Sequence, residues 1–333
     1  MTSRTLTPAE AHALVVDTLT RCGTDPANAV PVAEALVGAE LTGQYGHGLR
    51  RLPTYARHVL TGKVKGRVQP TSQRTRPGAL LVDAHDGFAY PALDMALEQL
   101  PEMARDNGIA IAGLHNSHHC GVAGLPVERL AQQGFLAIFM ANAPAAMAPW
   151  GGRKPLFGTD PIAFAAPVAG GDPVVVDISL SKVAKGKIMA ATQTGEDIPE
   201  GWALDAAGNP TTDAHAAMKG TMLPMGEAKG TALAIMVEML AAGLTGALYA
   251  HEANSFFDAE GDPMGVGQVI LAIDATVFGP HATTRFADMA REIEEMEGAR
   301  LPGRRRQQIR AELSRTGIAA DVSLLEEIDG LAR

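Results

Sequence analysis

The densest chemistry in the sequence lies in Gly46-His47-Gly48-Leu49-Arg50-Arg51, a histidine between two glycines followed by two arginines. Flanking glycines let backbone or ligand come close to the imidazole. If the chain is helical from Gly48 onward, Arg50 and Arg51 stand three and four positions after His47 and face the same way. A carbonyl beside a carboxylate, as in a 2-oxo acid, needs a proton donor that titrates near neutrality and a planar cation, and His with Arg meets both needs. A surface histidine in a turn beside solvated arginines is the simpler reading of this segment taken alone.

A second constellation, His115-Asn116-Ser117-His118-His119-Cys120-Gly121-Val122-Ala123-Gly124, follows a predicted strand and leads into a helix that ends near Gln133. A loop of small and polar residues at a helix N-terminus offers free backbone N–H groups to a phosphate. Three histidines so close also raise a metal site. No partner cysteine or carboxylate stands at ligand spacing, so no metal is expected. No GxGxxG follows a strand, so any nicotinamide nucleotide must be held by another arrangement.

Four further segments carry candidates. Pro149-Trp150-Gly151-Gly152, continuing to Phe157-Gly158-Thr159-Asp160-Pro161, has the tight-turn composition that presents Thr159 to a ligand. Asp177-Ile178-Ser179 precedes three lysines, Lys182, Lys185 and Lys187, suited to a diphosphate or a substrate carboxylate. Lys229 opens an apolar helix, and Arg300 to Arg306 form a basic run suited to an adenosine 2'-phosphate. Each has a plain alternative: a long connection, solvated lysines, a solvated helix start.

The elements that must position these residues are marked by their ends. Thr7-Pro8 with Glu10 gives an N-cap, a first-turn proline and a capping-box acid, and Asp25-Pro26 repeats the cap for a helix to about Leu41. A short helix should hold Leu52, Tyr55, Ala56 and Val59. Strands are expected at Leu80 to Val82, Ile109 to Ile111, Leu136 to Met140, Ile162 to Ala166, Val174 to Val176 and Val269 to Ile273. A helix from Pro91 to Asn107, closed by Gly108, lies among them. Strand and helix do not alternate regularly, so the expected class is mixed α/β with antiparallel strands rather than a doubly wound parallel sheet. Both ends read as helical, and they are expected to pack together.

A formal charge of -9 disfavours a polyanionic partner, so no nucleic acid is expected even with the basic run near Arg300. Two cysteines in unrelated contexts, Cys22 and Cys120, fit a reducing compartment. The opening residues lack the basic-then-apolar pattern of a secretory signal, which makes the cytoplasm the default. Thr231 to Ala250 is nearly all apolar, but Glu238 at its centre favours a buried helix over a membrane span. Leu233, Met236, Val237, Leu240 and Leu244 fall at helical spacing and are expected in the core.

Taken together and in order, GHGLRRLPTY, NSHHCGVAG, APWGGRKPLFGTDPIAFAAP, VVDISLSKVAKGKI, LPMGEAKG and RLPG resemble the malate/L-lactate dehydrogenase family, which also contains ureidoglycolate dehydrogenase, sulfolactate dehydrogenase, diketogulonate reductase and Δ1-piperideine-2-carboxylate reductase. The resemblance covers nearly the whole chain. It implies a homodimer with NAD or NADP on a mainly antiparallel, non-Rossmann sheet. Three parts are expected: residues 1–75 with 300–333 as a helical domain, 76–115 with 250–299 as a substrate and dimer domain, and 116–249 as the NAD(P)-binding domain.

The resemblance further implies a proton-donating role for His47 and a carboxylate-anchoring role for Arg51, with Thr159 and Lys187 near the substrate. His119, Cys120, Gly121, Val122 and Ala123 match the segment that wraps the cofactor diphosphate. Asp177, Ile178, Ser179 and Lys185 match further cofactor contacts, and Lys229, Arg304, Arg305 and Arg306 match contacts near the adenosine end. The reaction implied is hydride transfer between nicotinamide C4 and C2 of a small 2-oxo or 2-hydroxy acid. Reduction of cyclic 2-imino acids is the alternative, and a catalytically silent binding homologue a remote one.

Three departures from the family pattern bear on that reading. Gly46 stands where many relatives have serine, which removes a hydroxyl relay to His47. Lys187 stands where the cyclic-imine reductases place aspartate; a lysine cannot accept the imidazole proton, which favours the oxo-acid reading. Asp160 stands where asparagine is usual, and its charge near an anionic substrate would be costly unless paired or turned away.

Overall fold

The computed structural model describes residues 3–331. Strand β1 (Ser3–Leu6) leads to α1 (Pro8–Arg21), where Thr7 Oγ1 accepts from Glu10 N at 3.1 Å while Thr7 N donates to Glu10 Oε2 at 2.7 Å, a reciprocal capping box. Asp25 caps α2 (Pro26–Leu41) by accepting from Ala27 N. Two 3-10 turns, Tyr45–His47 and Leu49–Arg51, then join α2 to α3 (Leu52–Thr61).

The edge hairpin β2 (Thr71–Arg76) and β3 (Ala79–Asp83) is followed by α4 (Ala89–Asn107) and β4 (Ile109–Ser117). Gly108, at φ 78°, ends α4 in the left-handed conformation that glycine adopts without strain. Next come α5 (Gly124–Ala131), β5 (Phe135–Ala141), β6 (Ile162–Ala166), β7 (Val174–Ile178) and α6 (Lys185–Thr194). A small sheet of β8 (Ala203–Leu204), β9 (Pro210–Thr211) and β10 (Thr221–Met222) encloses α7 (Ala214–Lys219). The apolar helix α8 (Ala228–Val237) runs on into a π-helical turn, Glu238–Gly243. The chain closes with β11 (Val266–Asp274), α9 (Ala282–Glu295), α10 (Arg304–Thr316), β12 (Ile318–Asp321) and α11 (Val322–Gly330).

The main sheet has seven strands in the order β2-β3-β4-β11-β5-β6-β7. Only β3 and β4 pair in parallel, across the α4 crossover; the other pairings are antiparallel. The class is therefore mixed α/β with a mainly antiparallel sheet. Strand β11 lies between β4 and β5, so one unbroken layer spans the boundary that the sequence suggests after residue 115.

Alternation along the central strands feeds two cores. Phe135, Ala137 and Phe139 of β5 and Ile270 and Ala272 of β11 pack with Leu93, Leu97 and Leu100 of α4 and Val127 and Leu130 of α5. Met140 and Val269 point the other way, to Val237 and Ala241. A third core gathers Val15 and Leu19, Val32 and Leu36, Leu52 and Tyr55 with Ile318, Ala320 and Ile328. The chain ends thus meet not only through helices but through the antiparallel pair β1·β12.

The stretch from Thr231 differs from the expectation of a buried helix. Val237 is buried, but Leu233, Met236, Met239 and Leu244 are exposed, the last two by 62% and 65%. The i, i+3, i+4 pattern that reads as a core stripe in the sequence wraps wider than the face the sheet covers. Among the described residues no helix is long and apolar enough to cross a membrane.

Candidate active site

His47 ends the first 3-10 turn, and its Nδ1 is fully buried with no hydrogen-bond partner. Arg51 Nε donates to the Gly46 carbonyl at 2.8 Å, which folds the guanidinium back beside the same turn. Its Nη1 and Nη2 donate to no acceptor among the described residues. Arg50 turns away and pairs with Asp321 at 3.2 Å, because a 3-10 turn advances each residue further around the axis than an α-helix does. Burial pushes the His47 imidazole down to about 4, with Arg51 and then Arg306 adding to the effect.

The loop after β4 closes over this turn. The His47 and His119 rings stack with centroids 5.2 Å apart and 14° between their planes. His119 Nδ1 lies 2.6 Å from Tyr55 Oη, which is 3.0 Å from Tyr90 Oη. Burial drives His118 and His119 well below the ordinary imidazole range and pushes the Tyr55 phenol up to about 12. These shifts all favour the neutral forms. Gln268 of β11, fully buried, donates Nε2 to the His118 carbonyl at 3.1 Å and so ties the loop to the centre of the sheet.

A second loop, residues 254–260, lies against the site and brings to it side chains that no sequence motif singles out. Phe256 meets the His119 ring edge-on at 5.0 Å, and Phe257 lies 5.1 Å from Arg51 Cζ and 5.0 Å from Lys185 Nζ. The buried Lys63 holds this loop by donating to the carbonyls of Ser255, Asp258 and Glu260 at 2.8, 2.8 and 3.1 Å. His58 Nε2 lies 3.1 Å from the Asp258 carbonyl and must carry the proton. Its Nδ1 then accepts from His118 Nε2 at 3.2 Å. Two adjacent phenylalanines in a Gly- and Asp-rich loop were the available signal.

Some of the candidates for the nucleotide come together around a single cleft. A narrow cleft lies among Gln44, Val122, Gly124 at the start of α5, Gly303 and Arg306. Asp177 accepts there from Arg306 Nη1 at 3.1 Å and from Gln44 Nε2 at 3.3 Å. A Cβ on Gly124 would stand 3.1 Å from Asp177 Oδ2. The start of α5 therefore packs directly against the Asp177 side chain, with no room for a larger residue at Gly124. Open amides at a helix start, a guanidinium and a carboxylate suited to ribose hydroxyls fit a dinucleotide.

Cys120, Val122 and Ala123 are buried and Gly121 is partly so, whereas Ile178 is 40% exposed and Ser179 Oγ bonds Ser181 Oγ at 3.2 Å. Of the basic run, Arg304 pairs with Glu294 and Arg305 is exposed without a partner among the described residues. Lys229 is likewise exposed. Lys187 is exposed on the first turn of α6, and it is Lys185, expected on the cofactor, that comes to Phe257 beside Arg51. Thr159 is half-buried, and its carbonyl accepts from Leu180 N at 2.8 Å. Asp160 is wholly buried, and burial, then the neighbouring Glu238, pushes its carboxyl well above the usual carboxylate range, against the backbone of Ala143, Asp160 and Gly158. The shift favours its uncharged form. Among the described residues no group of three His, Cys, Asp or Glu side chains is placed to hold a metal.

The model of the malate/L-lactate dehydrogenase family matches residues 6–329. The chain belongs to this family. It is 47% identical over 310 residues, 93% of each chain, to a (2R)-3-sulfolactate dehydrogenase (NADP(+)) of Chromohalobacter salexigens. It is 39% identical over 331 residues, 97% of this chain and 94% of the other, to a Δ1-pyrroline-2-carboxylate/Δ1-piperideine-2-carboxylate reductase of Pseudomonas putida. The crystal structure of Δ1-piperideine-2-carboxylate reductase from Pseudomonas syringae pvar. tomato superposes with a TM-score of 0.93 at 36% identity, covering 99% of this chain and all of that one. The chain is an NAD(P)-dependent oxidoreductase.

Proposed function

We propose that the protein interconverts a small 2-oxo acid and its 2-hydroxy acid, that the substrate carries a second anionic group as 3-sulfolactate does, and that His47 handles the proton while Arg51 anchors the C1 carboxylate. The observation that carries this is the meeting of three groups: the partnerless Nδ1 of His47, the free amino groups of Arg51, and Lys185, which shares the Phe257 ring with Arg51. Burial, with Arg51 adding, lowers the Lys185 ammonium, while Asp258 opposes the shift. Two half-buried cations on one aromatic ring repel each other, and a dianion between them relieves that repulsion. The name of the 47% relative points to the same substrate class.

Val122, Ala123 and Gly124, with Asp177 and Arg306, would hold the nicotinamide nucleotide, which when bound would supply the hydride chemistry. Arg51 fixes the carboxylate in the plane of its amino groups, which orients the carbonyl oxygen toward His47. His47 is neutral in the free protein, ready to take the hydroxyl proton during oxidation. In reduction the substrate carboxylate cancels part of the Arg51 field, and His47 binds the proton that it then donates. Phe256, Phe257 and the Lys63-held loop keep water from the reacting carbon. The exposed Arg305 supports NADP over NAD through the 2'-phosphate.

Reduction of a cyclic 2-imino acid in the same cleft is the second reading, supported by the names of the relatives at 39% and 38% identity. Steady-state rates with sulfopyruvate, oxaloacetate and pyruvate against the cyclic imines decide between them: a preference for the dianions supports the proposal, and turnover confined to imines overturns it. We also infer a homodimer joined through the exposed apolar face of α8 and its π-helical extension, in the cytoplasm, where the buried thiols of Cys22 and Cys120 stay free. Light scattering at micromolar concentration reads the mass, and a monomer there contradicts the dimer.

A further inference from the structure

We infer that Glu40 is a positioning residue for the proton-handling turn, holding His47 in place through Gly48 and Leu49 from a second cavity behind the site. The inference rests on the proposed role of His47.

Glu40 lies near the end of α2, only 4% exposed, and its Oε1 accepts from Leu49 N at 2.7 Å. Leu49 follows His47 by two residues, so this one bond spans the break between the two 3-10 turns. Gly48 makes it possible: a Cβ there would stand 2.1 Å from Glu40 Oε1, and the three atoms it would meet first all belong to Glu40. Gly48 has φ -94°, outside the left-handed region, and the first obstacle a side chain would meet there is the Glu40 carboxylate. The second glycine of Gly-His-Gly thus makes room for an acid eight residues upstream.

The acid also reaches solvent by its own route. A cavity of about 510 Å³ is lined by Glu40, Tyr45, Leu49 and Arg50 on one side and by residues of β12, including Asp321, on the other. The charged groups facing Glu40 are Arg50 from the second turn and Asp321 from β12, which pair with each other, so neither is free to neutralise it fully. Tyr45 is the other titratable group on the cavity wall. Burial pushes the carboxyl up to about 7, against the opposing effects of the Leu49 amide and Arg50, with Asp321 reinforcing it. The ionised form makes the stronger bond to Leu49 N–H. The tether therefore tightens as pH rises through neutrality, and His47 is held best on the alkaline side.

Glu40→Gln keeps an acceptor oxygen but cannot ionise, and Gly48→Ala drives the side chains apart. For oxidation of 3-sulfolactate, kcat/KM of the wild type rises around pH 7; the Glu40→Gln profile is flat there and sits at the wild type's acid-side value, with NADPH affinity unchanged. Gly48→Ala lowers kcat at least tenfold in the wild-type background and costs less than threefold in a Glu40→Ala background, because the clash is gone. A Glu40→Gln profile that keeps the rise, or equal Gly48→Ala losses in both backgrounds, overturns the inference. His47→Ala, measured alongside, separates the two claims: if it retains full activity, the proposed role of His47 fails, whatever the Glu40 variants show.

Discussion

The imidazoles of His47 and His119 stack face to face, 5.2 Å between centroids, inside a site where neither meets a carboxylate. Two such rings cannot both carry charge, and His119 is the more deeply buried, bonded to Tyr55. This geometry supports the proposal that His47 handles the proton exchanged with substrate, with His119 as its stacked neighbour. His47→Ala is expected to lower kcat by roughly 10²- to 10⁴-fold, the usual range for one acid-base group. NADPH fluorescence on titration should stay near wild type, since the stacked partner remains.

The pH profile follows from the downward shift of His47. With its imidazole at about 4 in the free protein, the base form needed for oxidation is already complete at pH 5. No His47 inflection is then expected in kcat/KM for oxidation between pH 5 and 9, and the rise left near neutrality belongs to Glu40. Reduction needs the acid form, so its kcat/KM falls as pH rises over the same range. The fall in kcat lies at higher pH, because bound carboxylate removes part of the Arg51 contribution. Initial rates in both directions across buffered pH read this directly.

Arg51 and Lys185 separate by substrate. Arg51→Ala loses a charge-assisted pair worth about 1.5–3 kcal/mol, so KM for every 2-oxo acid should rise roughly 10- to 150-fold. Lys185→Ala should cost a similar factor with sulfopyruvate and leave pyruvate within about threefold, since pyruvate lacks the second anion. Equal losses on both substrates would place Lys185 on the cofactor instead.

Lys63 tests the roof. Replacing it by methionine removes three hydrogen bonds to the 255–260 loop, those to Ser255, Asp258 and Glu260, of which the Asp258 carbonyl keeps His58 Nε2. Amide hydrogen exchange should quicken over that loop, with kcat falling and NADPH affinity little changed. Exchange unchanged at 254–260 would show that the loop is held by other contacts.

Asp160 gives a stability signature. Its folded-state carboxyl is raised far above its unfolded value, so the unfolded chain releases a proton that the folded one keeps. The stabilisation is full below about pH 4 and is lost as pH rises. Asp160→Asn, which cannot ionise in either state, should match the wild type at low pH and exceed it in melting temperature by a margin that grows toward pH 8.

Much of the architecture is legible where local signals are strong: the Thr7 and Asp25 caps, the Gly108 stop and the alternating apolar strands all stand where the sequence suggests. Strand β2 is not legible, because Thr-Ser-Gln-Arg-Thr-Arg is polar on both faces and gains its conformation from pairing with β3 at the sheet edge. The four-residue strands β1 and β12 are too short to show a period, and each exists through the other. At the site, the Gly-His-Gly and His-His-Cys segments are visible as composition, whereas Phe256, Phe257, Lys63 and Glu40 join them only through tertiary approach. The exposed face of α8 misleads, since an apolar stripe looks the same whether a sheet or a second copy covers it.

The most direct test of the central claim is oxidation of NADPH and NADH, followed at the nicotinamide absorbance, with sulfopyruvate, oxaloacetate, pyruvate and the cyclic imines, for wild type and His47→Ala side by side. The expected result is turnover of the 2-oxo acids, fastest with a dianion, that falls at least a hundredfold in the variant. Turnover of 2-oxo acids that survives the loss of His47, or activity on cyclic imines alone, would contradict it.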